Sequence, residues 1–173
     1  MSISTTLKKA TRSVEKAITG TEPEMDILDT LQEEHEEVAT LLQELVDSDN
    51  SKQKRSLVKK IKAALIPHAR AEEQILYDGI IGVKDKQANT DGEEGYIEHH
   101  IADTLLGDLD RIRDAMSPEF NAAAKVLKES IQHHVKEEEG NVWSDVKKHY
   151  DGDQRKRMNR EYLALKRGVK IPA

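Results

Sequence analysis

Two histidine–glutamate pairs carry the most legible chemistry in this chain of 173 residues. His68 with Glu72, and His134 with Glu138, stand four residues apart, which places both members on one helix face, one turn from each other. Each pair interrupts an apolar stripe: Leu57, Ile61 and Leu65 precede the first, Leu127 and Ile131 the second. A glutamate on a buried face is costly unless it is neutralised, hydrogen-bonded or bound to a metal. Two further histidines, His35 and His99, lie on the apolar sides of other helical segments. Imidazole and carboxylate without thiolate suit iron or manganese, and zinc on ligand type alone. Two carboxylates can bridge two cations and offset their charge, while imidazoles cap the ends.

An internal repeat joins these positions. His35 is followed at +3, +6, +7 and +10 by Val38, Leu41, Leu42 and Leu45, and His99 at the same offsets by Ala102, Leu105, Leu106 and Leu109. The stretch His68 to Tyr77 aligns with His134 to Trp143, each with Glu at +4 and an aromatic at +9. The chain therefore reads as two similar helix pairs, offset by 64 to 66 residues. Helix geometry selects His99 over His100, which points almost oppositely, and register selects His134 over His133. His149 matches no pattern and reads as a surface residue. Tyr77 and Trp143 read as packing residues at the bundle end, and Glu33, Glu34, Glu36 and Glu37 as a solvated face.

The elements that must position these groups follow from periodicity and punctuation. A short helix is expected over about 3–19, with Ile3, Leu7, Ala10, Val14 and Ile18 on one side. The first bundle helix is expected over about 24–47, after Thr21-Glu22-Pro23-Glu24, which has capping-box character. The second spans about 53–78, with Pro67 removing one backbone donor and kinking it before His68. A Gly-containing connector over 79–92 precedes the third, about 93–115, whose apolar side is Ile101, Ala102, Leu105, Leu106, Leu109 and Ile112. Ser117-Pro118 opens the fourth, about 118–149, and Asp151-Gly152-Asp153 precedes a last helix carrying Met158, Tyr162 and Leu165. The expected organisation is an N-terminal helix at 1–20, a four-helix bundle at 21–150, and a C-terminal helix and tail at 151–173.

Composition agrees with that architecture. Apolar residues make up 36% and charged residues 35%, as suits helices with one buried stripe. Aromatics at 3% disfavour a β-sandwich or barrel. With no cysteine, disulfides, zinc ribbons, Fe–S clusters and thiol nucleophiles drop out. A net charge of −6 argues against nucleic acid as the main partner. The cations Arg155, Lys156, Arg157, Arg160, Lys166, Arg167 and Lys170 read as a solvated helix with positive charge towards its C-terminus. No apolar run reaches a membrane span, and Met1 to Gly20 lacks a signal-peptide core. A soluble, cytoplasmic protein is expected.

The stretches Leu31-Gln-Glu-Glu-His35-Glu-Glu-Val, His68-Ala-Arg-Ala-Glu72-Glu73, Glu98-His99-His100 and His134-Val-Lys-Glu-Glu138-Glu139 resemble the hemerythrin-like (HHE) cation-binding family in order and spacing. The resemblance spans about residues 26–145. It implies an all-α, antiparallel up-down-up-down four-helix bundle around a di-iron centre, oxo- or hydroxo-bridged. Its ligands would be His35, His68, Glu72, His99, His134 and Glu138, and its small ligand dioxygen, nitric oxide or peroxide. Peroxidase- or catalase-like turnover falls within that range. Two alternatives are an iron buffer or store and a metal-free helical interaction module. The Glu-x-x-His signature of ferritin-like sites is absent at the core positions. The chain departs from the pattern in three places. Asp103 stands where oxygen-carrying hemerythrins have a further histidine, which points away from reversible oxygen carriage unless His100 substitutes. Those carriers place the last carboxylate five residues after its histidine, at Glu139, whereas the repeat selects Glu138. Asp78 and Ser144 follow the two aromatics where the family often has proline.

Overall fold

The apolar stripes become the buried faces of an all-α bundle in the computed structural model, which describes residues 6, 7, 10–13, 16 and 24–172. Residues 6, 7, 10–13 and 16 are helical. Ile3, Val14 and Ile18 of the expected first stripe, and Thr21 to Pro23 of the expected cap, lie outside the described residues. Helix α1 is Ile27–Asp47 and α2 is Ser51–Glu72. A π turn at Glu73–Tyr77 carries α2 into the short α3, Asp78–Ile81. Helix α4 is Lys86–Arg111 and α5 is Pro118–Glu137, which continues through a second π turn, Glu138–Val142, into α6, Trp143–His149. Helix α7 is Gly152–Gly168. Among the described residues there is no strand.

Each start has a local cause. The Asp26 side chain accepts from the Leu28 N–H, so the cap of α1 is Asp26 and not the segment at Thr21. Asn50 caps α2, Asp85 caps α4, and Ser117 caps α5 with Pro118 just inside. Asp151 and Gln154 form a capping box that starts α7 at once. Short connections force the long helices to reverse, and α1 packs on α2 and α5 while α4 packs on α5 and α2. Helix α2 runs through Pro67, and the helical irregularity falls later, at Glu73–Tyr77.

The third bundle helix departs most from expectation. It begins at Lys86, so the expected connector over 79–92 shrinks to a few residues before the Asp85 cap. Gly92, expected in the connector, is a helix residue, and both it and Gly95 of the expected helix sit at points of close approach. A Cβ at Gly95 would meet the Tyr77 ring at 2.5 and 2.6 Å, and one at Gly92 would meet Ile81 at 2.7 Å. The helix also ends early, at Arg111, and Ile101 is 45% exposed, so the buried side narrows to His99, Ala102, Leu106 and Leu109.

Apolar packing forms two clusters. One gathers Leu42, Leu45, Leu57, Ile61, Leu106, Leu109, Phe120 and Leu127. The other gathers Ile27, Leu31, Ala71, Leu76, Tyr77, Ile80, Trp143, Val146 and Tyr162. Tyr162 and Met158 of α7 belong to the second cluster, so the last helix is packed onto the bundle. Burying each such side chain contributes roughly 1.5–3 kcal/mol.

The glycine geometry gives a stability test. Gly95→Ala is expected to destabilise the chain by about 1–3 kcal/mol, because the Tyr77 ring must move. Gly107→Ala, whose new methyl meets nothing nearer than Arg111 Nη1 at 3.8 Å, is expected to be neutral or stabilising by up to about 1 kcal/mol. Urea midpoints of the two variants against the native chain measure the difference.

Candidate metal centre

Between the two apolar clusters lies a polar layer. His35, His68, His99 and His134, with Glu72 and Glu138, are all buried. Their inner atoms converge. His68 Nε2 lies 3.3 Å and His99 Nε2 lies 3.5 Å from Glu72 Oε2. His35 Nε2 lies 3.4 Å and His134 Nε2 lies 3.5 Å from Glu138 Oε2. The His–Glu pairs along α2 and α5 are thus each completed by a histidine from the other half of the repeat.

Every histidine turns its other nitrogen outward to a carboxylate. His68 Nδ1 donates to Glu34 at 3.0 Å and His134 Nδ1 to Glu98 at 2.7 Å. His35 Nδ1 donates to Glu139 at 3.1 Å and His99 Nδ1 to Glu73 at 3.1 Å. Such a carboxylate fixes the tautomer, leaving the Nε2 lone pair directed inward, and raises its basicity. These four acceptors are the residues before His35 and His99 and after Glu72 and Glu138, so they repeat as faithfully as the inner groups. Glu139 therefore stands outside the cluster, and Glu138 within it. Glu34, expected on a solvated face, is a half-buried support of His68.

The aromatics do more than pack. Tyr77 OH donates to Glu72 Oε2 at 3.4 Å, and Trp143 Nε1 donates to Glu138 Oε1 at 3.3 Å. In both cases donor and carboxylate are five residues apart across a π turn. The Asp78 N–H bonds the Glu73 carbonyl and the Trp143 N–H the Glu138 carbonyl, which widens the turn and brings position i+5 back over position i. From a third direction, Tyr162 OH donates to Glu34 Oε2 at 2.5 Å and lies 3.1 Å from His68 Nδ1. Lys166 pairs with Glu34 at 2.6 Å. Arg155 pairs with Asp26, and Arg160 with Glu24. Several cations of the expected solvated tail are therefore tied into the molecule.

The remaining notable residues lie outside the layer. His100 and His133 are exposed, and His149 is half-buried near Asp85 at 3.6 Å. Asp103 pairs with Arg70, which also holds Glu73, the acceptor of His99. Sequence reasoning missed Glu34, Glu73, Glu98, Glu139 and Tyr162 as supports. The first four carried a signal, since each adjoins an inner residue at matching places in both halves.

The electrostatics are those of a site short of positive charge. Burial raises Glu72, and the neighbouring Glu138 charge raises it further, so this carboxyl is protonated well above the ordinary range. Burial would raise Glu138 too, but His35 and His134 outweigh it and hold it low. Burial would lower His35, yet Glu138 and Glu139 lift it to about 9. Burial drops His99 to about 4, against its bond to Glu73. Burial opposes ionisation of Glu34 as well, but His68, Lys166 and Tyr162 bring it down to about 2.

The residues fit a cation. His35, His99 and His134 Nε2, Glu72 Oε1 and Glu138 Oε2 are buried without a hydrogen-bond partner. Buried polar atoms are seldom left so unless something else satisfies them. Two donor sets, His35–His68–Glu72 and Glu72–His99–His134, each hold one atom per residue within 4.8 Å of one another. They share Glu72. A narrow cavity of about 10 Å³ reaches the layer from one side, with Glu138 and His134 among its lining residues.

The hemerythrin HHE cation-binding domain matches residues 26–143, and the chain belongs to that family. It is a hemerythrin-like helical bundle whose His/Glu groups fit metal binding. A relative from Nostoc sp. (strain PCC 7120 / SAG 25.82 / UTEX 2576), described as a DNA nickase, is 27% identical over 143 residues. The match covers 83% of this chain and 40% of that protein, so the chain spans well under half the relative's length. No solved structure matches. No helix of the described residues is long and apolar enough to cross a membrane.

The raised His35 makes a signed prediction for the metal-free chain. A histidine lifted from 6.5 to about 9 on folding contributes stability below the lower value and loses it as pH rises through the higher. The thermal midpoint without metal is expected to fall as pH rises across that window. Glu139→Gln is expected to blunt the fall. A midpoint that stays flat or climbs contradicts the assignment.

Proposed function

We propose that the chain holds a pair of iron ions in this layer, with His35, His68, His99, His134, Glu72 and Glu138 as ligands. The observation that carries the reading is the convergence of inward imidazole nitrogens on two buried carboxylates, several of those atoms lacking any hydrogen-bond partner. Bound iron would supply redox and Lewis-acid chemistry towards a small ligand such as dioxygen, nitric oxide or peroxide. The protein's part is to hold and shield. Glu34, Glu73, Glu98 and Glu139 orient the four imidazoles, and the Tyr77 hydroxyl and Trp143 indole hold the two inner carboxylates. The apolar clusters on either side limit the centre to small molecules. Sensing, carriage and detoxification all use such a site. Asp103, bound to Arg70 where a further histidine would extend the ligand set, favours sensing or turnover over carriage.

The relative described as a DNA nickase supplies a second reading, metal-assisted strand cleavage by the same centre. The net charge of −6 disfavours it. So does the use of Arg155, Arg160 and Lys166 in ion pairs within the chain.

Anaerobic loading with ferrous iron, followed by metal analysis, is expected to give about two irons per chain, one for each of the two donor sets that include Glu72. Exposure to air is then expected to produce near-ultraviolet charge-transfer bands. His68→Ala combined with His134→Ala should abolish both signals. Iron binding that survives this double substitution sinks the proposal. Supercoiled plasmid incubated with the loaded chain is expected to remain intact. Nicked circles that vanish in the same double variant would establish the second reading instead.

A further inference from the structure

The two halves of the repeat are alike at the centre but not at its approaches. The cavity beside His134 and Glu138 is lined by Asp91, Glu94, Glu98, Glu137 and Asn141, with Gly95 and Tyr77 beneath them. No lysine or arginine lines it among the described residues. The offsets of the internal repeat map this lining onto the other half as follows. Asp91 corresponds to Ile27, Glu94 to Thr30, Gly95 to Leu31, Glu137 to Ala71 and Asn141 to Ile75. Ile27, Leu31 and Ala71 are fully buried, and Thr30 is nearly so. Helix α7 lies over that side, with Met158 and Tyr162 in the same apolar cluster and the Tyr162 hydroxyl against Glu34 and His68. Glu98 corresponds to Glu34, whose carboxylate is taken up by His68, Tyr162 and Lys166. One approach is thus largely apolar and covered by α7, its single carboxylate already paired; its counterpart is a narrow cleft lined by carboxylates.

We infer that the Asp91–Glu94–Glu137 mouth is the route by which a divalent cation reaches the centre, α7 having closed the equivalent route in the other half. The inference rests on the metal reading proposed above. Its first support is the asymmetry just described. Its second is independent: His134 Nε2 and Glu138 Oε2, among the residues lining the cavity, are buried without a hydrogen-bond partner. The dimensions suit an ion rather than an organic substrate, since about 10 Å³ accepts one water-sized body at a time. The charge suits a cation, because carboxylates in a low-dielectric cleft focus the field and raise the local concentration of the opposite charge. Exposed Glu94 and half-buried Glu137 form the outer ring. Glu98 lies further in, hydrogen-bonded to His134.

Cobalt(II) chloride mixed with the metal-free full-length chain in a stopped-flow spectrometer reads the route through the visible bands of bound cobalt. Glu94→Gln combined with Glu137→Gln is expected to slow uptake about tenfold or more and to flatten its dependence on salt. The final cobalt content should stay unchanged. Glu37→Gln combined with Glu44→Gln changes net charge equally on exposed positions of α1 and is expected to leave the rate as it was. Asn141→Arg, which puts a positive charge at the mouth, should slow uptake as the first pair does. Normal cobalt content with unchanged rates in the mouth variants overturns the route alone. Equal slowing by the α1 pair overturns it too, since net charge would then explain the effect. Failure of the native chain to bind cobalt overturns the metal reading and the route with it.

Discussion

Everything in this bundle is arranged around the difficulty of keeping two carboxylates at the centre of an apolar core. A buried, unpaired carboxylate is among the most unfavourable groups a small domain can carry. Here Glu72 and Glu138 are shielded from water in the same layer. Four imidazoles face them from four helices, and each imidazole is steadied from outside by a further carboxylate. Two aromatic donors reach the inner carboxylates across π turns. Removing any one partner would leave another group stranded, so the layer behaves as one network and not as a sum of contacts. The donor atoms gathered in it are of the kind that hold a cation.

The network also explains the backbone. Regular helices would rotate position i+5 away from position i, and neither Tyr77 nor Trp143 could then reach its carboxylate. The π turns correct that angle and occur in both halves, beginning at Glu73 in the first and at Glu138 in the second, one residue apart in the register of the repeat. The glycines of α4 answer the same demand. Tyr77 can turn its hydroxyl to Glu72 only because Gly95 leaves room for the ring.

Much of this was legible in the sequence, and the reasons for the rest are physical. Helical periodicity located the stripes, and the four-residue spacing within a repeat located the inner histidines and glutamates. Ligand placement was tractable because a polar residue on an apolar stripe is conspicuous. The outer carboxylates were not, because Glu34 or Glu139 beside other acids looks like any wet helix face. Periodicity also assumes 3.6 residues per turn, so a π turn is invisible to it, and Tyr77 and Trp143 read first as packing residues. Gly92, expected at the end of a connector, differs for a related reason: glycine marks a turn and a close helix contact alike, and only the neighbour decides which. Tyr162 carried no signal at all, since α7 stands outside the repeat.

The polar layer has a further consequence for how the molecule holds together in time. By lying between the two apolar clusters it divides the hydrophobic core, so that neither end is welded to the other by continuous apolar packing. The layer itself is the seam. When its charges are balanced, opening one end strands the groups of the other, and the bundle unfolds as a single cooperative unit. When they are not, the end that gathers α3, α6 and α7 against the adjoining turns of α1, α2 and α4 is expected to open while the other stays folded, as a separate protection class in amide exchange. The same residues that fit a cation thus decide whether the chain is one foldon or two.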